Sequence, residues 1–250
     1  MKYLVKRNLA EKYNSPILGW LWSVIEPMVL TATFYILFMI LVESRDEYRV
    51  LNIMLGILTW RLFRTVTMES TMALKKGRGL IHTIYFPREV FIFSKMFTSV
   101  ITYSLSLLIC IPLLIMFGLT PNIYFLYLPL SMLSVCLLGT GIGMCLASMV
   151  PRIPDIQNMT KLTVRIMFYL SPVFYTLEYM KRVPEEVLSI YLYVNPMAIF
   201  LTLTRSAFTG NMPSMLNLEH ILFSTGISII FFIIGTIIFS RSHFKAVKYL

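Results

Sequence analysis

Arg61 and Arg64 stand three residues apart in a largely apolar stretch, with Trp60 and Phe63 beside them. On a helix that spacing puts both guanidinium groups on one face, where they would form a compact cationic patch. Charge at membrane depth is costly unless it faces protein or water. The pair therefore reads in one of two ways. It presents positive charge to an anionic substrate such as a phosphate group, or it is held by a carboxylate or reaches a lipid headgroup. Glu69 lies neither three nor four residues from either arginine, which makes it a poor partner within the helix. Glu26, followed by Pro27, interrupts an otherwise uncharged stretch and marks where an interfacial segment turns into a span.

Other chemistry is sparse. No G-x-x-x-x-G-K-[ST] loop occurs, so the chain does not hydrolyse a nucleotide by that route. His82, His220 and His243 are far apart and form no H-E-x-x-H pair, and no close pair of carboxylates falls inside an apolar stretch. Neither a catalytic nor a metal site is expected. The three cysteines, Cys110, Cys136 and Cys145, sit in apolar stretches and read as small core residues. Gly139, Gly143 and Ala147 recur every four residues, a smooth face for close helix packing either within one subunit or between two. Phe34, Tyr35, Phe168, Phe174 and Tyr175 could line a sugar pathway by stacking, as could Trp60; lipid contact or core packing is the alternative.

The elements that must carry these residues are legible in the hydropathy. With 57% hydrophobic and 14% charged residues and a mean hydropathy of +0.75, the chain lies outside the range of soluble domains. Six stretches approach the roughly 20 apolar residues that cross a bilayer: 21–42, 50–71, 90–117, 123–149, 158–175 and 221–239. Gly118, Pro121 and Asn122 mark the turn inside the long uncharged run. Lys161 and Arg165 fall in the first turns of the fifth stretch and read as anchors.

The net charge of +10 fits basic loops at the cytoplasmic face better than nucleic-acid binding, for no aromatic stacking platform accompanies it. Lys2, Lys6, Arg7, Lys12, Lys75, Lys76, Arg78, Arg88, Arg152, Lys161, Arg241, Lys245 and Lys248 would share one side; Arg45, Arg49, Lys181, Arg182 and Arg205 the other. That bias puts both termini in the cytoplasm. Residues 187–204 could pass for a further span, but Asn195 and Pro196 break the run. Pro184, Glu185 and Glu186 look like a helix start, so 184–208 reads as two short helices at the outer face that dip into the membrane. Basic residues among Tyr3, Leu4, Val5, Leu9 and Tyr13 suit a helix over 1–16 lying in the interface. The expected fold is one all-α membrane domain over 1–250: six spans, an amino-terminal interfacial helix and short re-entrant outer helices.

Four motifs carry a family resemblance. Gly19-Trp20-Leu21-Trp22-Ser23-Val24-Ile25-Glu26-Pro27, Tyr85-Phe86-Pro87-Arg88-Glu89, Pro154-Asp155-Ile156 and Tyr193-Val194-Asn195-Pro196-Met197 resemble, in order and spacing, segments of the membrane subunits of type-2 ABC exporters that move capsular polysaccharide, O-antigen and teichoic acid. The resemblance implies a homodimer in the cytoplasmic membrane with two copies of a separate ATPase subunit, which would carry ATP and magnesium, leaving this chain without a cofactor. It implies that the amino-terminal helix and a coupling loop over 75–89, with Lys76, Arg78, His82, Tyr85, Phe86, Arg88 and Glu89, touch that ATPase. The cargo would be a lipid-linked polysaccharide drawn between the two subunits. Export of a drug or small lipid on the same architecture, a membrane-embedded glycan-modifying enzyme and a scaffold are the rival readings.

Overall fold

A computed structural model of the chain describes residues 1–13, 21–41, 47–76, 88–120 and 122–247. Among these the regular structure is helical: α1 (Lys2–Tyr13), α2 (Trp22–Leu41), α3 (Arg49–Thr71), α4 (Ala73–Lys76), α5 (Glu89–Leu107), α6 (Ile111–Met116), α7 (Tyr127–Ala147), α8 (Asp155–Leu170), α9 (Glu185–Val194), α10 (Pro196–Thr209) and α11 (Leu218–Val247). Four helical stretches, Trp22–Ile40, Glu89–Met116, Ile123–Ala147 and Leu218–Ser242, are long and apolar enough to cross a membrane, and the bent pair α9–α10 would make a fifth. The other two expected spans fall short of that measure for different reasons. α3 is about 34 Å long but carries Arg49, Arg61, Arg64 and Glu69, whereas α8 has only 16 residues.

Burial explains why α3 tolerates polar residues. Leu51, Ile53, Leu55, Leu58, Phe63 and Val66 are fully or almost fully enclosed, and α2, α5, α7 and α10 pack around the helix. A helix surrounded by protein need not be apolar, because its neighbours rather than lipid meet its polar groups. α2 and α11 instead leave large apolar side chains exposed, among them Met39, Ile40, Leu222 and Ile230.

Small residues let α7 sit against two partners. A Cβ at Gly139 would lie 2.9 Å from Thr67 Oγ1, and one at Gly143 would collide with Ser70. The smooth face with Ala147, left open between intra- and intersubunit packing, thus meets α3 of the same chain. On another side of α7, a Cβ at Gly141 would come within 2.5 Å of the Phe231 backbone in α11.

Two expected spans are reshaped by proline. The fifth, expected over 158–175, ends at Leu170: Ser171 is extended (φ −93°, ψ 150°) because Pro172 disfavours a helical residue before it. The third breaks into α5 and α6 near Pro112, whose missing N–H would have served Leu108; Ile111 N–H takes that carbonyl in a 3₁₀ turn. At the following turn Gly118, with φ +64°, closes α6 as Leu119 N–H reaches back to the Leu114 carbonyl.

The expected pair of short helices over 184–208 is present as α9 and α10, bent by 97° at Asn195–Pro196. Their elbow is latched to the end of α8. Tyr191 hydroxyl donates to the Leu170 carbonyl (2.9 Å), and Asn195 Nδ2 donates to Ser171 Oγ (3.0 Å). Arg205, placed on an outer flank by sequence, is instead 4% exposed in the core. Its Nε donates to Asn52 O (3.0 Å), Nη1 to Tyr175 O (2.8 Å) and Nη2 to Val173 O (2.7 Å). Gly56 is tied to this clamp, since a Cβ there would strike the Val173 carbonyl and the guanidinium.

Two stability tests follow. Gly141→Ala should lower the unfolding temperature of the detergent-solubilised protein through about 1–3 kcal/mol of overpacking. Gly226→Ala, where a Cβ meets nothing within 4 Å, should unfold at or above the wild-type temperature; equal loss in both would refute the close-approach account. Arg205→Met, which strips the donors from three carbonyls, should cost about 3 kcal/mol and open the 171–176 segment to protease.

Candidate functional site

The Arg61 site begins with a proline. Pro27 lies inside α2 and has no N–H, so the Ser23 carbonyl four residues earlier loses its helical donor. Arg61 of α3 supplies one: Nη1 donates to Ser23 O at 3.1 Å, and Nη2 pairs with Glu26 Oε2 at 2.9 Å. Ser23, Glu26 and Pro27 thus form one receptor for a guanidinium, and Glu26 is an ion-pair partner rather than only a boundary marker. The side chains are 26% and 51% exposed for Arg61 and Glu26 respectively.

Arg64 does not join it. It is exposed and makes no ion pair or hydrogen bond among the described residues, so the expected two-arginine patch separates into one held and one open guanidinium. Of the two alternatives for Arg61, capture by a carboxylate is what the structure contains. Glu69, judged a poor partner for both arginines, pairs with Lys76 at 2.6 Å.

Arg61 also walls a small pocket of about 20 Å³ between α3 and α5 with Leu58, Thr65, Ser99, Thr102 and Ser106. The α5 side is a ladder of hydroxyls. Thr98 donates to Ser94 O (2.8 Å), Ser99 to Lys95 O (2.9 Å), Thr102 to Thr98 O (2.9 Å) and Ser106 to Thr102 O (2.9 Å). Each proton is spent on the helix's own backbone, which leaves the oxygen lone pairs as acceptors. Tyr103 hydroxyl meets Thr59 Oγ1 at 3.2 Å and ties the two helices together. The ladder was missed in the sequence, although Ser94, Thr98, Thr102 and Ser106 recur every four residues within an apolar span.

The aromatic residues form a run beside this junction. Trp60 lies 5.7 Å from Phe168, Phe168 meets Phe174 edge-on at 4.8 Å, and Phe174 stacks on Phe34 at 3.6 Å. Trp60 and Phe168 are thereby brought together, with Phe34 and Phe174 as the members that link them to α2. Tyr35 is half-buried and packs against the main core. Tyr175 is half-buried and contributes its carbonyl to the Arg205 clamp.

Of the expected ATPase contacts, Arg78, His82, Tyr85 and Phe86 lie outside the described residues. Lys76 ends α4, while Arg88 and Glu89 stand at the start of α5. Lys75 Nζ reaches Gln157 Oε1 at 3.5 Å, bringing α4 beside the start of α8.

The arrangement at Arg61 offers one neutralised cation, many acceptor oxygens and aromatic faces, groups that can bind a hydroxyl-bearing ligand. In a double-mutant cycle, Arg61→Met should lose about 2 kcal/mol of unfolding free energy and Glu26→Gln under about 1 kcal/mol. The double variant should fall short of their sum by about 1 kcal/mol; strict additivity would mean that the pair is not formed.

Comparison with known proteins gives a consistent likeness. Two proteins from Klebsiella pneumoniae, each named O-antigen export system permease protein RfbA, are 24% identical over 245 residues, covering 97% of this chain and 91% of their own length. A protein of the same name from Myxococcus xanthus is 24% identical over 205 residues, covering 82% and 78%. The family described as ABC-2 type transporter matches residues 1–209, and this multi-pass membrane protein belongs to it.

Proposed function

We propose that this chain is the membrane subunit of an ATP-driven exporter that moves a lipid-linked polysaccharide across the cytoplasmic membrane. The observation that carries this reading is the extent of the likeness: relatives named as O-antigen export permeases align along 97% of the chain. The polar junction at Arg61 supports it, since hydroxyl acceptors and aromatic faces suit a glycan, and a charge at span depth marks a functional site more often than an accident.

In this reading α2, α3, α5–α6, α7, α8 and α11 make six crossings, both termini lie in the cytoplasm, and α9–α10 form a re-entrant hairpin at the outer face. α1 lies in the cytoplasmic interface. Two copies of the chain enclose the pathway, with Arg64, Tyr35, Tyr175, Trp60 and Phe168 at or near its wall. Two ATPase subunits bind ATP and magnesium, and dock on α1 and on the 75–89 loop through Lys76, Arg78, His82, Tyr85, Phe86, Arg88 and Glu89.

Co-expression with the ATPase subunit should yield a two-plus-two complex whose ATP hydrolysis rises on addition of lipid-linked glycan. Arg64→Ala should slow export while the complex assembles normally. An active monomer without an ATPase partner would overturn the reading; normal export by Arg64→Ala would remove that residue from the pathway.

A further inference from the structure

A second cleft lies at the opposite end of α3 from α4, beside the Arg205 clamp. It is a shallow cleft with a cavity volume of about 80 Å³ that stands open to solvent. Tyr48 and Asn52 from the start of α3 form one wall, Thr202, Arg205 and Thr209 of α10 another, and Glu178 and Asn211 stand toward solvent.

Its lining is mostly polar. Thr202 Oγ1 donates to Ala198 O at 2.7 Å, and Thr209 Oγ1 donates to Arg205 O at 3.0 Å while accepting from Asn211 N–H at 3.5 Å, so each hydroxyl keeps a lone pair for a ligand. The Glu178 carboxylate is exposed and makes no ion pair or hydrogen bond among the described residues; it can accept from two neighbouring hydroxyls at once. Asn211 offers an amide with both donor and acceptor. The Tyr48 ring is fixed edge-on against Phe117, with centroids 5.5 Å apart at 90°, which gives the cleft one oriented aromatic side chain. The Arg205 clamp holds the backbone of α3 and of residues 173–175 together, so the wall is preorganised.

We propose that this cleft is a docking site for one uncharged sugar residue of the exported polymer, at the end of the bundle where the glycan leaves. The proposal rests on the exporter reading, which fixes that end as the exit. A polyol supplies many O–H donors, and the cleft supplies acceptors on several sides with an aromatic flank. The Glu178 carboxylate, without an ion-pair partner among the described residues, disfavours an anionic phosphate at the mouth. The sequence concealed the site, since its residues come from 48–52, 176–178 and 202–213.

The test uses the assembled complex with its ATPase subunits in lipid nanodiscs. The probe is lipid-free polysaccharide released by mild acid from the surface of the producing cells. The wild-type complex should bind it with a Kd of about 0.1–1 mM, and Glu178→Ala and Asn211→Ala should each weaken binding at least tenfold while basal ATP hydrolysis is unchanged. As an independent measurement, the probe should slow maleimide labelling of Asn211→Cys. Absence of wild-type binding, equal affinity in the variants, or unprotected labelling would each overturn the docking site. Stimulation of ATP hydrolysis by lipid-linked glycan, measured in the same nanodiscs, separates the two readings. Stimulation without cleft binding removes the site and keeps the exporter; no stimulation removes the exporter itself.

Discussion

A backbone carbonyl that loses its helical donor inside a bilayer has no water to turn to, and in this protein arginine takes the place of that water. Three guanidinium groups do so. Arg61 covers Ser23, left open by Pro27. Arg205 covers Val173 and Tyr175, where Pro172 has stopped the helix. Arg49 reaches the Phe38 carbonyl near the end of α2 at 3.3 Å. At Pro27 and Pro172 the proline break and the arginine therefore act together, the break leaving acceptors that a distant side chain fills.

Two of these contacts tie α2 to α3, one near each end of α2, and the third ties the start of α3 to α10 and to the segment after α8. The organisation of the bundle follows. α3 becomes the central rod, clamped at its beginning by Arg205 through Asn52 and bound near its end to α4 through Glu69 and Lys76. Glycine-mediated contact with α7 adds a long seam along its second half. A separate apolar cluster of Leu74, Ile92, Met144, Ala147 and Phe239 joins α4, α5, α7 and α11. Under the exporter reading, a push on α4 meets this small cluster first and then travels along a helix whose far end is fastened to the re-entrant elbow.

The sequence made visible what depends on local composition. Apolar runs located the helices, the Asn195–Pro196 pair located the elbow, and the spacing of Gly139 and Gly143 located a packing face. It concealed what depends on contact between elements. Glu26 could not be paired with Arg61 from spacing, because the two sit 35 residues apart on different helices. Arg205 looked like a flanking charge because its partners are carbonyls, which any residue possesses. Pro172 was legible in principle, yet the apolar residues after it masked the end of α8. The ladder on α5 was hidden because serine and threonine barely lower the hydropathy of so apolar a span.

These cations are also arranged so as not to be traps. Arg61 is neutralised by Glu26, and Arg205 is engaged by three carbonyls, so neither presents the bare charge that would hold a phosphate or an acidic sugar tightly. What remains along the pocket and the cleft are oxygen lone pairs and aromatic groups, each a weak partner for a hydroxyl. Conduction of any cargo requires sites favourable enough to enter and weak enough to leave. A polymer that must advance by one residue after another is served by many such sites of similar strength. The arginines meet the structural demand of the bilayer, and by doing so they leave the binding of cargo to the weaker groups around them.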